Sequence, residues 1–233
     1  LIGHSQTVRV LDCEPFPESI PGLEFVQADV RDKTAVAKAC QGIEKVIHTV
    51  AKVPISKAGK EFWHVNVEGT RNVLEASLKA GVSKFVHLSS SAVQLSEHNP
   101  VDEYAPYHPV GEYARSKMEG EKVCREYIAR GLDVDIIRPR TVVGVGRLGI
   151  FDILFDWISA GKNIYIIGTG KNKIQFLHSQ DLADCCYRAS LRKGPEVYNI
   201  GSKGFLTLRE DLQALIKHAG SPSAIISLPV TPT

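Results

Sequence analysis

The feature that most constrains this chain is an alternation. Short apolar runs recur between longer segments of helical period, and the helical segments stop at glycine. TVRVLD, LEFVQ, KVIHTV, KFVHLSS and VDIIRP read as strands. Between them, residues 33–41, 61–80 and 112–130 carry helical spacing, with Gly42, Gly81 and Gly131 just past their ends. Glycine adopts the left-handed conformation that ends a helix. Strands apolar along their whole length have no solvent face, so they belong to a parallel sheet covered by helices on both sides. The expected fold is α/β, a doubly wound parallel sheet.

From about residue 140 the texture changes. GIFDILFDWISAG is helical, IYIIGTGKNK reads as a strand and a glycine-rich turn, 179–191 as a helix, and YNIGS as a short strand. The tail, SLPVTPT, shows neither helix nor cap. The reading divides the chain into residues 1–145, a nucleotide-type sheet domain, and residues 146–233, a small, mixed and incomplete part interleaved with the last sheet strands. Sheets of this type open with a strand, a glycine turn and a helix. The first strand here already ends at Asp12, so an earlier strand and glycine turn are expected in the natural protein.

Composition narrows the function. Hydrophobic residues make up 43% of the 233 and charged residues 23%, enough for a sizeable core. A net charge of +2 with scattered basic residues gives no reason to expect nucleic acid or an acidic membrane. No stretch approaches the roughly 18 apolar residues of a membrane span, and LIGHSQTVRVLD has no signal-peptide pattern. The five cysteines, Cys13, Cys40, Cys124, Cys185 and Cys186, form no CxxC pair. A chain this long has no need of a disulfide framework, so a reducing, cytoplasmic setting is the simpler reading.

One glycine pattern is set aside. Gly144, Gly146 and Gly149 match G-x-G-x-x-G between a strand and a helix. The dinucleotide fingerprint needs an acidic residue about 20 positions on, and none occurs between Asp156 and Asp181. A loop leading into a helix accounts for it.

Three other signals carry chemistry. Asp12 ends VRVLD; a carboxylate at a strand's carboxyl end can accept from both ribose hydroxyls of an adenosine and repel a 2′-phosphate. A turn-forming aspartate explains it equally well. Tyr113 and Lys117 sit four residues apart in YARSK, on one face of a helix. A nearby ammonium lowers a phenol from its reference of about 10, towards the range useful for taking a proton from an alcohol. A surface Tyr and Lys would leave the same pattern. Ser89, Ser90 and Ser91 follow KFVHL, where hydroxyls face the ligand crevice of such sheets, or form a plain serine-rich loop.

The order of these signals resembles the extended short-chain dehydrogenase/reductases, also grouped as NAD-dependent epimerase/dehydratases. The likeness runs through ADVRD (28–32), VIHTVA (46–51), NVEGTRNVLEA (66–76), the YxxxK helix, IIRPRTVVG (136–144) and YNIGS (198–202). It implies a Rossmann-type fold, NAD as cofactor and a small-molecule substrate. Asp29 and Val30 would flank the adenine, while Val50, Ala51 and Lys52 would line the cofactor near its phosphates and nicotinamide ribose. Asn66 would lie beside the active site. Ser91 matches the catalytic Ser/Thr, with Ser89 and Ser90 supporting the cofactor and the turn. Tyr113 would be the acid/base, Lys117 would hold the nicotinamide ribose and tune Tyr113, and Pro139 would support the nicotinamide. The helices at 61–80 and 112–130 are those through which many members pair as homodimers.

The resemblance also bears on substrate. Dehydratases place an Asp-Glu pair after the strand Ser/Thr; here Ala92 and Val93 follow Ser91. Nucleotide-sugar epimerases carry an Arg that forks onto the diphosphate, and Ile174 stands at that position, in Gly168-Thr-Gly170-Lys-Asn-Lys-Ile-Gln-Phe176. Lys173 or Arg140 could substitute, but Lys lacks the bidentate fork. The segment is closer to the 3β-hydroxysteroid and sterol dehydrogenase branch. The implied activity is hydride transfer between NAD and a secondary alcohol or ketone, steroid-like or otherwise apolar. A nucleotide-sugar epimerase with tightly held NAD is the alternative, and a non-catalytic dinucleotide-binding relative the third reading.

Overall fold

The computed structural model describes residues 7–16, 19–53, 59–94, 100–145 and 151–229. The chain forms two compact units: Leu1–Pro139 with Ala183–Ile200, and Arg140–Leu182 with Gly201–Thr233. The chain thus crosses between units after residues 139, 182 and 200, where the sequence reading drew one division after 145.

The first unit is a layered parallel α/β structure. Strand β1 (Val8–Asp12) pairs in parallel with β2 (Leu23–Gln27). Strands β3 (Lys45–His48), β4 (Lys84–Leu88), β5 (Val134–Pro139) and β9 (Val197–Ile200) form a second parallel set in the order β3-β4-β5-β9. The expectation of one continuous sheet is modified to that extent: among the described residues the ladders fall into two parallel sheets. VDIIRP is buried at every position and KFVHL at all but the last, as central strands of a two-sided sheet must be. KVIHTV pairs only as far as His48, and a few residues on the Lys52 backbone is bonded by the Asn66 side chain.

The helices follow the glycine stops. Asp32 caps α1 (Lys33–Cys40), accepting from the amides of Thr34 and Ala35. The segment expected as one helix over 61–80 is α2, in three consecutive pieces: Glu61–Trp63, a π-helical stretch His64–Gly69, and Thr70–Ala80. It ends on Gly81 at φ 74°. Helix α3 spans Gly111–Ala129, with Gly131 at φ 95° beyond it. These helices enclose a core that includes Leu74, Phe85, Val123, Cys124, Val134 and Ile136.

At the amino ends of β4 and β5, the Lys84 ammonium lies 2.8 Å from both Asp133 and Asp135 and donates to the Gly194 carbonyl at 3.0 Å. Asp133 and Asp135 in turn accept from the amides of Gly194 and Glu196. This buried cluster ties β4 and β5 to the segment that leads into β9.

The second unit contains two short parallel pairs, β6 (Thr141–Val143) with β8 (Phe176–His178) and β7 (Ile164–Ile167) with β10 (Ile225–Leu228). Helices α4 (Phe151–Ser159) and α6 (Leu208–His218) flank a core of Ile158, Ile164, Ile166 and Leu212. Helix α5 spans Ser179–Leu191, as its spacing predicts. Helix α6 and strand β10 correct the reading of the C-terminal segment: Ser227 and Leu228 of the supposed tail belong to a strand. Among the described residues no helix is long and apolar enough to cross a membrane, and all five cysteines are free thiols.

Candidate active site

Asn66 is the pin of the candidate site. It lies in the π-helical stretch of α2 and is wholly buried. Its Oδ1 accepts from the Lys52 amide at 2.8 Å, and its Nδ2 donates to the Lys52 carbonyl at 3.1 Å and to Ser116 Oγ at 2.9 Å. One amide thus holds the backbone after β3, where Val50, Ala51 and Lys52 lie, against the helix of Tyr113. Ser116 Oγ in turn donates to the Tyr113 carbonyl at 2.8 Å. A π-turn accommodates one extra residue per turn, and such turns concentrate at functional sites. The close approach at its end requires glycine: a Cβ on Gly69 would stand 2.7 Å from Val30 Cγ2.

Lys117 is 2% exposed, and its Nζ donates to the Leu88 carbonyl at 2.6 Å, at the carboxyl end of β4. Burial lowers its pKa to about 8, against the opposing pull of Cys124 and Glu121. Tyr113, one turn earlier on α3, is half-buried and meets the Phe62 ring edge-on at 6.1 Å between centroids. Ser91 opens a 3-10 turn, Ser91–Val93, directly after β4, and Ser90 Oγ caps that turn by accepting from the Ala92 amide. Ser89 faces elsewhere: its hydroxyl donates to buried Glu121 at 2.6 Å.

The remaining expected positions spread along the strand ends. Asp12 is exposed at the end of β1, and its Oδ1 accepts from the Glu14 amide at 3.0 Å. Asp29 follows β2; its carboxylate is forked by Arg31 at 3.0 and 2.7 Å, which holds the acid below the usual carboxylate range. Val30 is buried against Gly69, so its side chain serves packing. Pro139 is buried at the end of β5, in register with Ile200 of β9.

Several residues were not anticipated. His48 on β3 and His87 on β4 are buried with ring centroids 5.7 Å apart. His48 Nε2 meets Thr70 Oγ1 at 3.0 Å, and Thr70 donates to the Asn66 carbonyl. Neither His87 nitrogen has a partner among the described residues. Desolvation takes His48 down to about 3 and His87 well below its ordinary value, so both are neutral. Glu121 and Arg138 form a buried ion pair. A signal existed: a charged residue such as Arg138 inside a largely apolar strand implies a buried partner.

Gly144 of the rejected glycine pattern sits where a Cβ would collide with Ser179 at the start of α5, so close packing explains it. Gly146 and Gly149 lie outside the described residues. Two cavities stand apart from Tyr113, Lys117 and Ser91. One of about 670 Å³ in the first unit is lined by Tyr104, Tyr107, Arg125, Ile128 and Arg138 among others. The other, of about 420 Å³ in the second unit, is lined by Ile174, Phe176, Ser202, Gly204, Phe205, Leu206 and Asp211.

Comparison with known proteins identifies the family and the fold. The model of the NAD dependent epimerase/dehydratase family matches residues 1–201. A Sinorhizobium fredii protein named "Uncharacterized protein y4nG" is 47% identical over 235 residues, covering 100% of this chain and 59% of its own length. An Arabidopsis thaliana 3beta-hydroxysteroid-dehydrogenase/decarboxylase, isoform 1, is 34% identical over 183 residues, covering 75% of this chain and 42% of its own. The chain therefore spans about half the length of these relatives. The solved UDP-glucose 4-epimerase of Thermus thermophilus, in complex with NAD, superposes with a TM-score of 0.83 at 26% identity, covering 99% of this chain and 81% of its own.

Proposed function

Since the chain belongs to the NAD-dependent epimerase/dehydratase family, we propose that it serves an oxidoreductase that interconverts a secondary alcohol and a ketone, with Ser91, Tyr113 and Lys117 as the reacting group. The observation that carries this reading is the placement of Lys117: a buried ammonium anchored on the Leu88 carbonyl, one turn from Tyr113 on α3 and beneath the strand that leads into Ser91.

NAD is the cofactor of this family, and the residues present fit it. The Lys117 ammonium spends one donor on Leu88; an ammonium has two more, suited to the hydroxyls of a ribose. Asn66 bonds both the amide and the carbonyl of Lys52, which fixes the turn after β3 where a diphosphate would lie. Asp12 presents an exposed carboxylate for the adenosine ribose, and Asp29 and Val30 would border the adenine. When bound, NAD supplies the hydride acceptor for an alcohol or the donor for a ketone. The protein's own residues handle the proton: Tyr113 takes it from the substrate hydroxyl or returns it to the ketone oxygen. Lys117 favours the ionised phenol. Ser91 donates to the substrate oxygen and orients it. Pro139 supports the nicotinamide side.

An apolar, steroid-like substrate is favoured by the sequence around Ile174, which stands where nucleotide-sugar epimerases carry an Arg that forks onto the diphosphate. The likeness to an NAD-bound UDP-glucose 4-epimerase supports a second reading, a nucleotide-sugar epimerase. Net NADH formation separates the two. With NAD and a 3β-hydroxysteroid the full-length protein should release NADH, whereas an epimerase releases none with its sugar. Strong thermal stabilisation by UDP- or GDP-sugars would overturn the preference. The same reading makes the protein a cytoplasmic homodimer paired through residues 61–80 and 112–130.

A further inference from the structure

Helix α3 carries a third polar side chain in line with Tyr113 and Lys117. Glu121 lies one turn beyond Lys117 and is wholly buried. A buried carboxylate is costly unless donors surround it, and Glu121 has four. Its Oε1 accepts from Ser89 Oγ at 2.6 Å and Arg138 Nε at 2.9 Å; its Oε2 accepts from Arg138 Nη2 and Tyr107 Oη, both at 2.7 Å. The donors come from the end of β4, from β5 and from the loop before α3. Arg138 Nη1 adds a bond to the Glu103 carbonyl at 3.0 Å in that loop.

The arrangement is a double stitch. Lys117 donates from helix to strand, at Leu88; Ser89 donates from strand to helix, at Glu121. The last residue of β4 and the residue just beyond it are therefore tied to two successive turns of α3. Leu88 is the register partner of Ile137, so Arg138 brings the neighbouring strand into the same joint. Ser91 follows two residues after Ser89. A buried ion pair is not by itself more stabilising than apolar packing, so its use here points to geometry.

We propose that Glu121 is a positioning residue: with Ser89 and Arg138 it fixes α3 against the end of β4 at the spacing Ser91, Tyr113 and Lys117 require, one helical turn from Lys117. The inference rests on the function proposed above. The groups around Lys117 agree with it. Burial works against the charged ammonium, and Glu121 on its own helix favours it. Desolvation first, and the Lys117 charge second, keep His48 and His87 on β3 and β4 neutral, and Arg138 on β5 is taken up by Glu121.

The test compares full-length wild type with Glu121→Gln, the double variant Glu121→Met/Arg138→Met, and Tyr113→Phe, each checked for folding by circular dichroism. The double variant removes both buried charges together and so leaves none uncompensated. Lysine-selective 13C NMR follows Lys117, assigned through Lys117→Met; kcat is followed against pH with NAD and a 3β-hydroxysteroid, and with UDP-glucose in an epimerase assay. In both Glu121 variants the Lys117 titration should move to lower pH, and kcat at pH 8 should fall about tenfold or more. A structural role alone would lower the melting temperature and leave both profiles in place. A folded Glu121 variant with an unmoved Lys117 titration overturns the proposal. Wild-type turnover in Tyr113→Phe would sink the functional reading instead, while the NMR result on Glu121 would stand apart from it.

Discussion

Burying Lys117 makes its charge sensitive to everything around it. The folded state gives up this proton at about 8, against 10.5 for an ordinary lysine. Across that window the unfolded chain binds more protons, so this group adds stability as pH rises through it. His48 has the same sign at lower pH: it holds a proton only near 3 when folded, against 6.5 ordinarily. The stability from keeping it neutral is complete above 6.5 and is lost as pH falls towards 3. The free energy of unfolding from urea titrations should therefore drop between pH 7 and pH 4.5, by up to about 1.4 kcal/mol per pH unit for each buried histidine, and the urea midpoint with it. His48→Gln should flatten that slope; a wild-type midpoint constant over this range would contradict it. For the chemistry, Tyr113→Phe should cut turnover by about a hundredfold or more, with NAD affinity by calorimetry near wild type. Asp12 should make kcat/KM higher with NAD than with NADP, a ratio that steady-state kinetics reads directly. At this scale the helical placement of Tyr113 and Lys117 and the strand-end placement of Asp12 were legible, because both show in residue spacing. The commitments of Ser89 to Glu121 and of Asp29 to Arg31 were not, because hydrogen-bond partners distant in sequence leave no local pattern.

Elements were legible where periodicity decides them. LEFVQ and VDIIRP pair over their full lengths, and 179–191 is helical throughout. The π-helical stretch in α2 was not legible, since an extra residue in one turn hardly alters an apolar pattern over 20 positions; its cause is tertiary, the use of Asn66 and the contact of Gly69 with Val30. Gly69→Ala would put a methyl 2.7 Å from Val30 Cγ2, an overpacking that should cost about 1–3 kcal/mol. Thermal melts should show a lowered Tm that Val30→Ala partly restores. A Tm equal to wild type would remove the steric reason for this glycine. Helix α6 was missed although its start carries a complete capping box, Thr207 with Glu210; the T-x-x-E signal stood in the sequence and went unread.

For the molecule as a whole, alternation predicted a parallel α/β fold, and the parallel ladders and α3 between β4 and β5 follow from it. Pairing order and the return of residues 183–200 to the first unit arise from contacts distant in sequence. Lys84 is central to that order. Lys84→Met would leave Asp133 and Asp135 without their ammonium, and should cost about 3–5 kcal/mol in chemical denaturation, without altering the Lys117 titration. In α2 and α3, Arg71 with Glu126 and Arg130 with Glu75 are paired within the chain. Light scattering on the full-length protein should give twice the protomer mass if these helices also pair two copies. The joint at Glu121 has a consequence for anyone who would transplant this chemistry. Ser91, Tyr107, Tyr113, Lys117, Glu121 and Arg138 all fall between the first residue of β4 and the last of β5. The joint's side chains thus lie within 84–139, but that segment is fastened from outside by Asn66, by Gly194 and Glu196, and by β3 and β9 on either side of β4 and β5. A designer who moved only the five residues from Tyr113 to Lys117 would import a motif without the joinery that aims it.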